Sequence, residues 1–219
     1  MKERLVVPEI LDELPPDDPR AVRSRRDLRL INSLMGNYRW LSRRIEHVQK
    51  ENPHGWVEIG SGDGSLRGAL GRGKSEHFHV CGIDFAPRPD RWPESWDWCQ
   101  GDIFKQLPNL PKHERPEGIL ANLFLHHFEC PALSDLGEII QNRFHRVIVS
   151  EPARYPIFRN LGYGLFPLVN DVTRHDMQVS IGAGFRPGEL FEALGLGPDW
   201  KLRESVTALG AYRFEAWKE

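Results

Sequence analysis

An acid followed by three glycines makes the sharpest pattern in this sequence. Val57-Glu58-Ile59 is a short apolar run holding one carboxylate, and it leads straight into Gly60-Ser61-Gly62-Asp63-Gly64. Glycines at alternate positions let the backbone turn tightly and let a ligand lie against it. A second acid, Asp84, follows about twenty residues on, the distance at which a strand-end carboxylate in an α/β fold accepts the hydroxyls of a ribose. Gly101-Asp102-Ile103 offers a third. Asp84 and Asp102 also read as ordinary strand-end caps. The dinucleotide fingerprint GxGxxG fails on spacing, because its third glycine would fall on Ser65.

These groups need elements to position them. From Trp56 the chain alternates strand and helix. Residues 56–60, 78–85, 96–100, 118–125 and 146–150 read as strands; helices fit 65–70 and 131–144. Such alternation predicts a parallel sheet covered by helices on both faces. The rhythm breaks at the end, where 200–206 and 211–217 are strand-like runs joined by a turn at Leu209-Gly210 and predict an antiparallel hairpin. Ahead of the sheet, 8–19 is an irregular leader rich in proline and acid. Residues 21–49 show helical spacing, with Leu28, Ile31, Leu34 and Met35 recurring before a break at Gly36-Asn37. Residues 152–185 are too long for a tight connection, and such insertions are usually functional.

Composition narrows the class. At 219 residues, 40% hydrophobic and 27% charged, the chain suits a single soluble domain. Its net charge of −2 lacks the basic surface of a nucleic-acid binder. No run approaches the roughly eighteen apolar residues of a membrane span. Cys81, Cys99 and Cys130 are odd in number and form neither a disulfide framework nor a metal pattern, which points to a reducing cytoplasm.

Glu58, Gly60, Gly62 and Gly64, followed by Asp84 and Asp102, resemble the E/DxGxGxG loop and strand-end acids of class I S-adenosylmethionine-dependent methyltransferases. The resemblance covers 56 to about 151, with the hairpin in support. It implies a Rossmann-like α/β fold, a seven-stranded, mostly parallel sheet of order 3-2-1-4-5-7-6 with an antiparallel C-terminal hairpin. Residues 1–50 would be a leader and helical cap on a methyltransferase domain at 51–219, with 152–185 as its lid or substrate insertion. The implied cofactor is S-adenosylmethionine (SAM), without a metal. Its methionine part would meet Glu58, Gly60, Ser61 and Gly62, and its ribose Asp84 beside Phe85. Asp102 would accept from the adenine amino group while Ile103 packs on the ring, and Asn122 closes the set.

The acceptor side is read from Asn122-Leu123-Phe124-Leu125-His126-His127, similar to the "LHHL" of many small-molecule methyltransferases. A histidine beside the methyl position could take a proton near neutral pH. His127 is preferred to His126 because the strand is expected to end near Leu125; both also read as packing residues. Glu151 is a rim group or a cap for the turn at Pro152. His175-Asp176 is a base with its orienting acid or a loop anchor. Arg23, Arg25 and Arg26 would meet the cofactor carboxylate or form a solvated face, and Tyr38 or Trp40 would line the acceptor pocket. Tyr155, Phe158, Tyr163 and Phe166 suit a wall over an apolar substrate. The expected acceptor is therefore a small aromatic, quinol or polyketide-like metabolite with an acidic hydroxyl or carbon. The rivals are a protein methyltransferase and a non-catalytic SAM-binding subunit.

Overall fold

The computed structural model describes residues 3–51, 55–70, 79–110 and 118–218. Its centre is a seven-stranded sheet of order β3-β2-β1-β4-β5-β7-β6. The strands are β1 (Trp56–Ile59), β2 (Val80–Asp84), β3 (Asp97–Gln100), β4 (Gly118–Asn122), β5 (Arg146–Pro152), β6 (Trp200–Val206) and β7 (Ala211–Lys218). β1 to β5 pair in parallel, and β7 runs antiparallel to both β5 and β6. This is the expected order. Every residue of β1 is buried, as suits a central parallel strand covered on both faces. Strand order reverses between β1 and β4, and the crevice at such a point, beyond the carboxyl ends of the strands, is where ligands bind in open α/β sheets.

Two boundaries differ from expectation. The run expected as a strand to Leu125 stops at Asn122, where Leu123 turns into the left-handed region (φ 53°) and Leu125–His127 winds as a 3-10 turn. The leader is not wholly irregular, since Ile10–Glu13 forms the short helix α1. Phe78, at the start of the second expected strand, lies outside the described residues.

The helices are placed by their apolar faces. On one side of the sheet α5 (Ile103–Asn109), α6 (Cys130–Arg143) and α9 (Glu189–Ala193) bury Leu107, Leu136, Ile140 and Leu190. On the other, α3 (Asn37–Glu51) buries Leu41, Ile45 and Val48 against Trp56, Leu120 and Ile148. Its neighbour α2 (Pro19–Met35) starts at Asp18, whose side chain accepts the Arg20 N–H at 2.7 Å. It ends at Gly36, in the left-handed conformation (φ 69°) that a helix C-terminus favours. α2 touches the sheet at Asn122 of β4 and otherwise leans on α8 (Asp171–Ala183), where Ser24 meets Thr173 at 2.9 Å and Asp27 accepts the Asn170 N–H at 2.8 Å. α7 (Pro156–Tyr163) completes this layer.

The buried carboxylate of Glu215 in β7 holds α3 to the sheet. It takes Arg44 of α3 at 2.7 Å and Arg146 of β5 at 2.7 Å, and Arg203 of β6 stands 3.5 Å away. Removing one partner of a buried charge network strands the others. Glu215→Ala is therefore expected to cost about 3–5 kcal/mol in urea-induced unfolding. A loss no larger than the roughly 1 kcal/mol of an exposed pair would show that the arginines find water instead.

Candidate functional site

The glycine loop leaves β1 as the sequence predicts. Gly60 (φ 64°) and Gly62 (φ 54°) both sit in the left-handed region. A Cβ on Gly60 would lie 2.2 Å from the Phe124 ring, so only glycine fits there, whereas the same side of Gly62 opens on empty space. Asp84 ties the loop to β2: its Oδ2 accepts the Gly62 N–H at 2.8 Å and its Oδ1 the Ala86 N–H at 2.8 Å. Ser61 is buried and donates to the Glu58 carbonyl at 2.8 Å. Glu58 is also buried, and its Oε2 has no hydrogen-bond partner. Burial, with Asp84 and Asp63 nearby, pushes its carboxyl up to about 8. An orphaned acid beside an open glycine cradle fits the cationic amino group of a SAM molecule.

The adenine side differs in detail from expectation. Asp102 caps α5 by accepting the Phe104 N–H at 2.9 Å, the ordinary strand-end role. Ile103 is turned into the core and only 4% exposed, which leaves it little surface for a ring. Phe85 is 74% exposed, an unpartnered apolar face next to Asp84. Asn122 ends β4 and donates to the Asn32 side chain of α2 at 3.0 Å, while its own oxygen is buried without a partner.

The two histidines have different fates. His126 is 3% exposed, with Nδ1 2.6 Å from Glu151 and Nε2 3.2 Å from Glu9. Burial alone would lower its pKa, but the two carboxylates carry it up to about 10. Both ring nitrogens are engaged by carboxylates, an arrangement that suits a charged strut between β5 and the leader more than a free base. Glu151 also accepts the N–H groups of Phe124 (2.9 Å), Leu125 (2.8 Å) and His126 (3.4 Å), so it caps the turn after β4 and not the one at Pro152. His127 faces Asp12 of α1 at 3.4 Å. Burial and the neighbouring His126 charge push it down to about 4, leaving a neutral imidazole. Donor atoms of Glu9, His126 and His127 lie within 4.8 Å of one another, but the carboxylates on both His126 nitrogens make this a hydrogen-bonded ion cluster.

Beside this turn lies an apolar cavity of about 290 Å³. Leu28, Ile31, Leu34 and Met35, which helical spacing marks out on α2, line it rather than filling the core. Phe158, Leu161 and Leu165 from the insertion face them, and Leu123 closes the inner end. Neither histidine lines it, nor does Tyr38 or Trp40. Tyr38 stands near Asp63 at the glycine loop, pushed up to about 12 by burial and that charge, and Trp40 lies under Arg213 at 5.3 Å. Arg25 binds the Pro16 carbonyl at 2.8 Å, and Arg23 and Arg26 are exposed. The arginine that meets the loop is Arg29, 2.5 Å from Asp63. His175 does contact Asp176 (2.9 Å), yet Asp176 also accepts the Ile10 and Leu11 N–H groups and so anchors α1. Sequence reading missed Glu9, Asp12 and Arg29, because nothing sets these apart from the other charges of the leader and α2.

No family model matches the chain, and no curated protein matches it. Solved structures do. The plantazolicin methyltransferase BamL, in complex with a triazolic desmethylPZN analog and S-adenosylhomocysteine (SAH), superposes with a TM-score of 0.69 at 11% identity, covering 95% of this chain and 92% of that one. The plantazolicin methyltransferase BpumL in complex with SAH gives 0.67 at 13% identity, covering 93% and 91%. A SAM-dependent methyltransferase from Archaeoglobus fulgidus gives 0.55 at 14%, covering 86% and 98%. The chain has the class I SAM-dependent methyltransferase fold. Among the described residues no helix is long and apolar enough to cross a membrane.

The strut sets a pH dependence. The folded protein holds His126 charged, so this contribution to stability is complete below the ordinary histidine value of 6.5 and is lost as pH rises through about 10. Urea midpoints measured from pH 6 to pH 10 are expected to fall more steeply for the wild type than for His126→Gln. Parallel curves would show that the strut carries no charge.

Proposed function

We propose that this protein is a SAM-dependent methyltransferase acting on a small, largely apolar metabolite of aromatic, quinol or polyketide-like character. The observation that carries the reading is the turn after β4. Phe124 seats its ring on Gly60 of the glycine loop, while its neighbour Leu123 lines the apolar cavity. One turn thus joins a cradle for the donor to a chamber for the acceptor. The chamber, at about 290 Å³, suits a small molecule. Its apolar lining from α2, α7 and α8 favours a largely apolar acceptor, and the acidic net charge disfavours a nucleic acid.

In this reading Glu58 receives the cofactor amino group, Gly60, Ser61 and Gly62 border its methionine part, Asp84 holds the ribose, and Phe85 covers the adenine. Asp102 turns its remaining oxygen to the adenine edge, and Asn122 stands at the floor. Bound SAM supplies an activated methyl group on a sulfonium. The protein then holds the acceptor in line and excludes water, and orientation supplies much of the rate. His127, on the turn beside the cavity and not in its lining, is proposed as the group that would take a proton from the acceptor where its reacting end reaches that turn. The absence of disulfides among the described residues suits a cytoplasmic protein.

Calorimetry is expected to show micromolar SAH binding and no NAD binding. Asp84→Ala should weaken SAH by about 1.5–3 kcal/mol, the loss of hydrogen bonds to a charged group. NAD binding without SAH binding would overturn the assignment. His127→Ala is expected to lower turnover by about 10²–10⁴-fold with SAH affinity nearly unchanged. Full turnover in that variant would leave positioning alone as the source of rate.

A further inference from the structure

Helix α8 has two working faces. Asp176, Met177, Ser180 and Ile181 line the apolar cavity. Arg174, His175, Gln178, Val179 and Gly182, spaced three and four residues apart as one helix face requires, line a groove of about 630 Å³ on the other side. Arg159 and Tyr163 of α7, with Phe166 just beyond it, form the second wall. Leu5 and Val7 of the leader, both exposed, complete the lining. No residue is shared between groove and cavity.

The groove is basic in an acidic protein. The chain has a net charge of −2, yet two arginines and a histidine line the groove against one acid, Asp171. Asp171 lies in the first turn of α8, where the helix dipole suits a carboxylate, and within electrostatic reach of Arg20. His175 binds Asp176 through Nδ1. The two arginines are held by Nε alone. Arg174 donates from it to the Phe166 carbonyl at 2.8 Å, and Arg159 to the Gln178 side chain at 3.3 Å. Among the described residues neither guanidinium meets a carboxylate. The Nη groups left over are the fork that pairs with a carboxylate, on side chains already fixed in place. The two forks converge, because Gln178, which holds Arg159, is one turn along α8 from Arg174.

Aromatic surface stands beside this charge. The Arg174 guanidinium lies 5.9 Å from the centre of the Phe166 ring, and Phe166 meets Tyr163 edge-on at 5.0 Å. We infer that the groove is a second ligand site, for a small aromatic carboxylate whose anionic end pairs with Arg159 and Arg174 and whose ring packs on Tyr163, Phe166 and the leader. A cationic ligand of the same shape meets two arginines. A neutral one gains the apolar contacts without the charge-assisted bonds. The inference does not depend on the methyltransferase reading, since none of these residues belongs to the cofactor cradle.

Three probes test this: 2-naphthoate, 2-naphthamide and acetate. Calorimetry is run on the full chain with excess SAH present. Naphthoate is expected to bind about 10-fold more tightly than naphthamide, with acetate weakest. Added salt is expected to narrow the gap between naphthoate and naphthamide, as screening of a surface charge requires. The double variant Arg159→Gln/Arg174→Gln is expected to erase that gap and leave SAH affinity unchanged. Naphthoate binding no tighter than naphthamide would overturn the inference, as would acetate matching naphthoate. A gap that survives in the double variant would also overturn it, because the anion would then be held elsewhere. Failure of SAH to bind counts against the methyltransferase reading alone, and the naphthoate series is decided by itself.

Discussion

The carboxylate of Glu151 organises the site. It lies at the end of β5 with no exposed surface and gathers three successive N–H groups, from Phe124, Leu125 and His126, as well as the His126 ring. Those bonds force the chain leaving β4 to turn at once, and Leu123 accepts a left-handed conformation that a branched residue ordinarily avoids. The turn then sends two adjacent side chains in different directions. Phe124 goes to the glycine loop and Leu123 to the cavity.

The same carboxylate reaches the N-terminal leader through His126. The imidazolium bridges Glu151 to Glu9, and Asp176 holds the N–H groups of the next two residues, Ile10 and Leu11. The leader, whose Leu5 and Val7 stay exposed, is thereby fastened beside the turn after β4. Charge-assisted bonds in a buried setting are the strong kind, and they also fix the direction of the field. Acids outnumber cations around the turn. That imbalance keeps His126 charged, and the His126 charge together with burial keeps His127 neutral.

The cavity is a by-product of how α2 is held. Its polar bonds run to α8, through Ser24, Asp27 and the Asn170 side chain on the Arg20 carbonyl, and to the sheet through Asn32 and Asn122. Arg29 pins it to the glycine loop. These contacts fix the helix at its polar points while its apolar stripe faces the cavity. The stripe therefore borders empty space instead of packed side chains.

The sequence by itself determined the sheet and the glycine loop at its edge, while the strand order came from the resemblance to class I methyltransferases. Continuous apolar runs can be satisfied only in a parallel sheet covered on both faces, and glycines at 60 and 62 are required by backbone conformations that no other residue adopts without strain. These are local constraints, visible wherever the residues stand. Tertiary structure decided the rest. Whether Leu28, Ile31 and Leu34 fill a core or line a chamber depends on how far α2 is held from its neighbours, which periodicity does not encode. Whether His126 or His127 can take a proton depends on Glu9, 117 residues away in sequence, and on Glu151, 25 away. Ile103 and Phe85 exchange their expected weight because the first residue of α5 turns into the core while the residue after β2 is left at the edge. Charge state and cavity shape are properties of distant groups brought together, and only the folded chain brings them together.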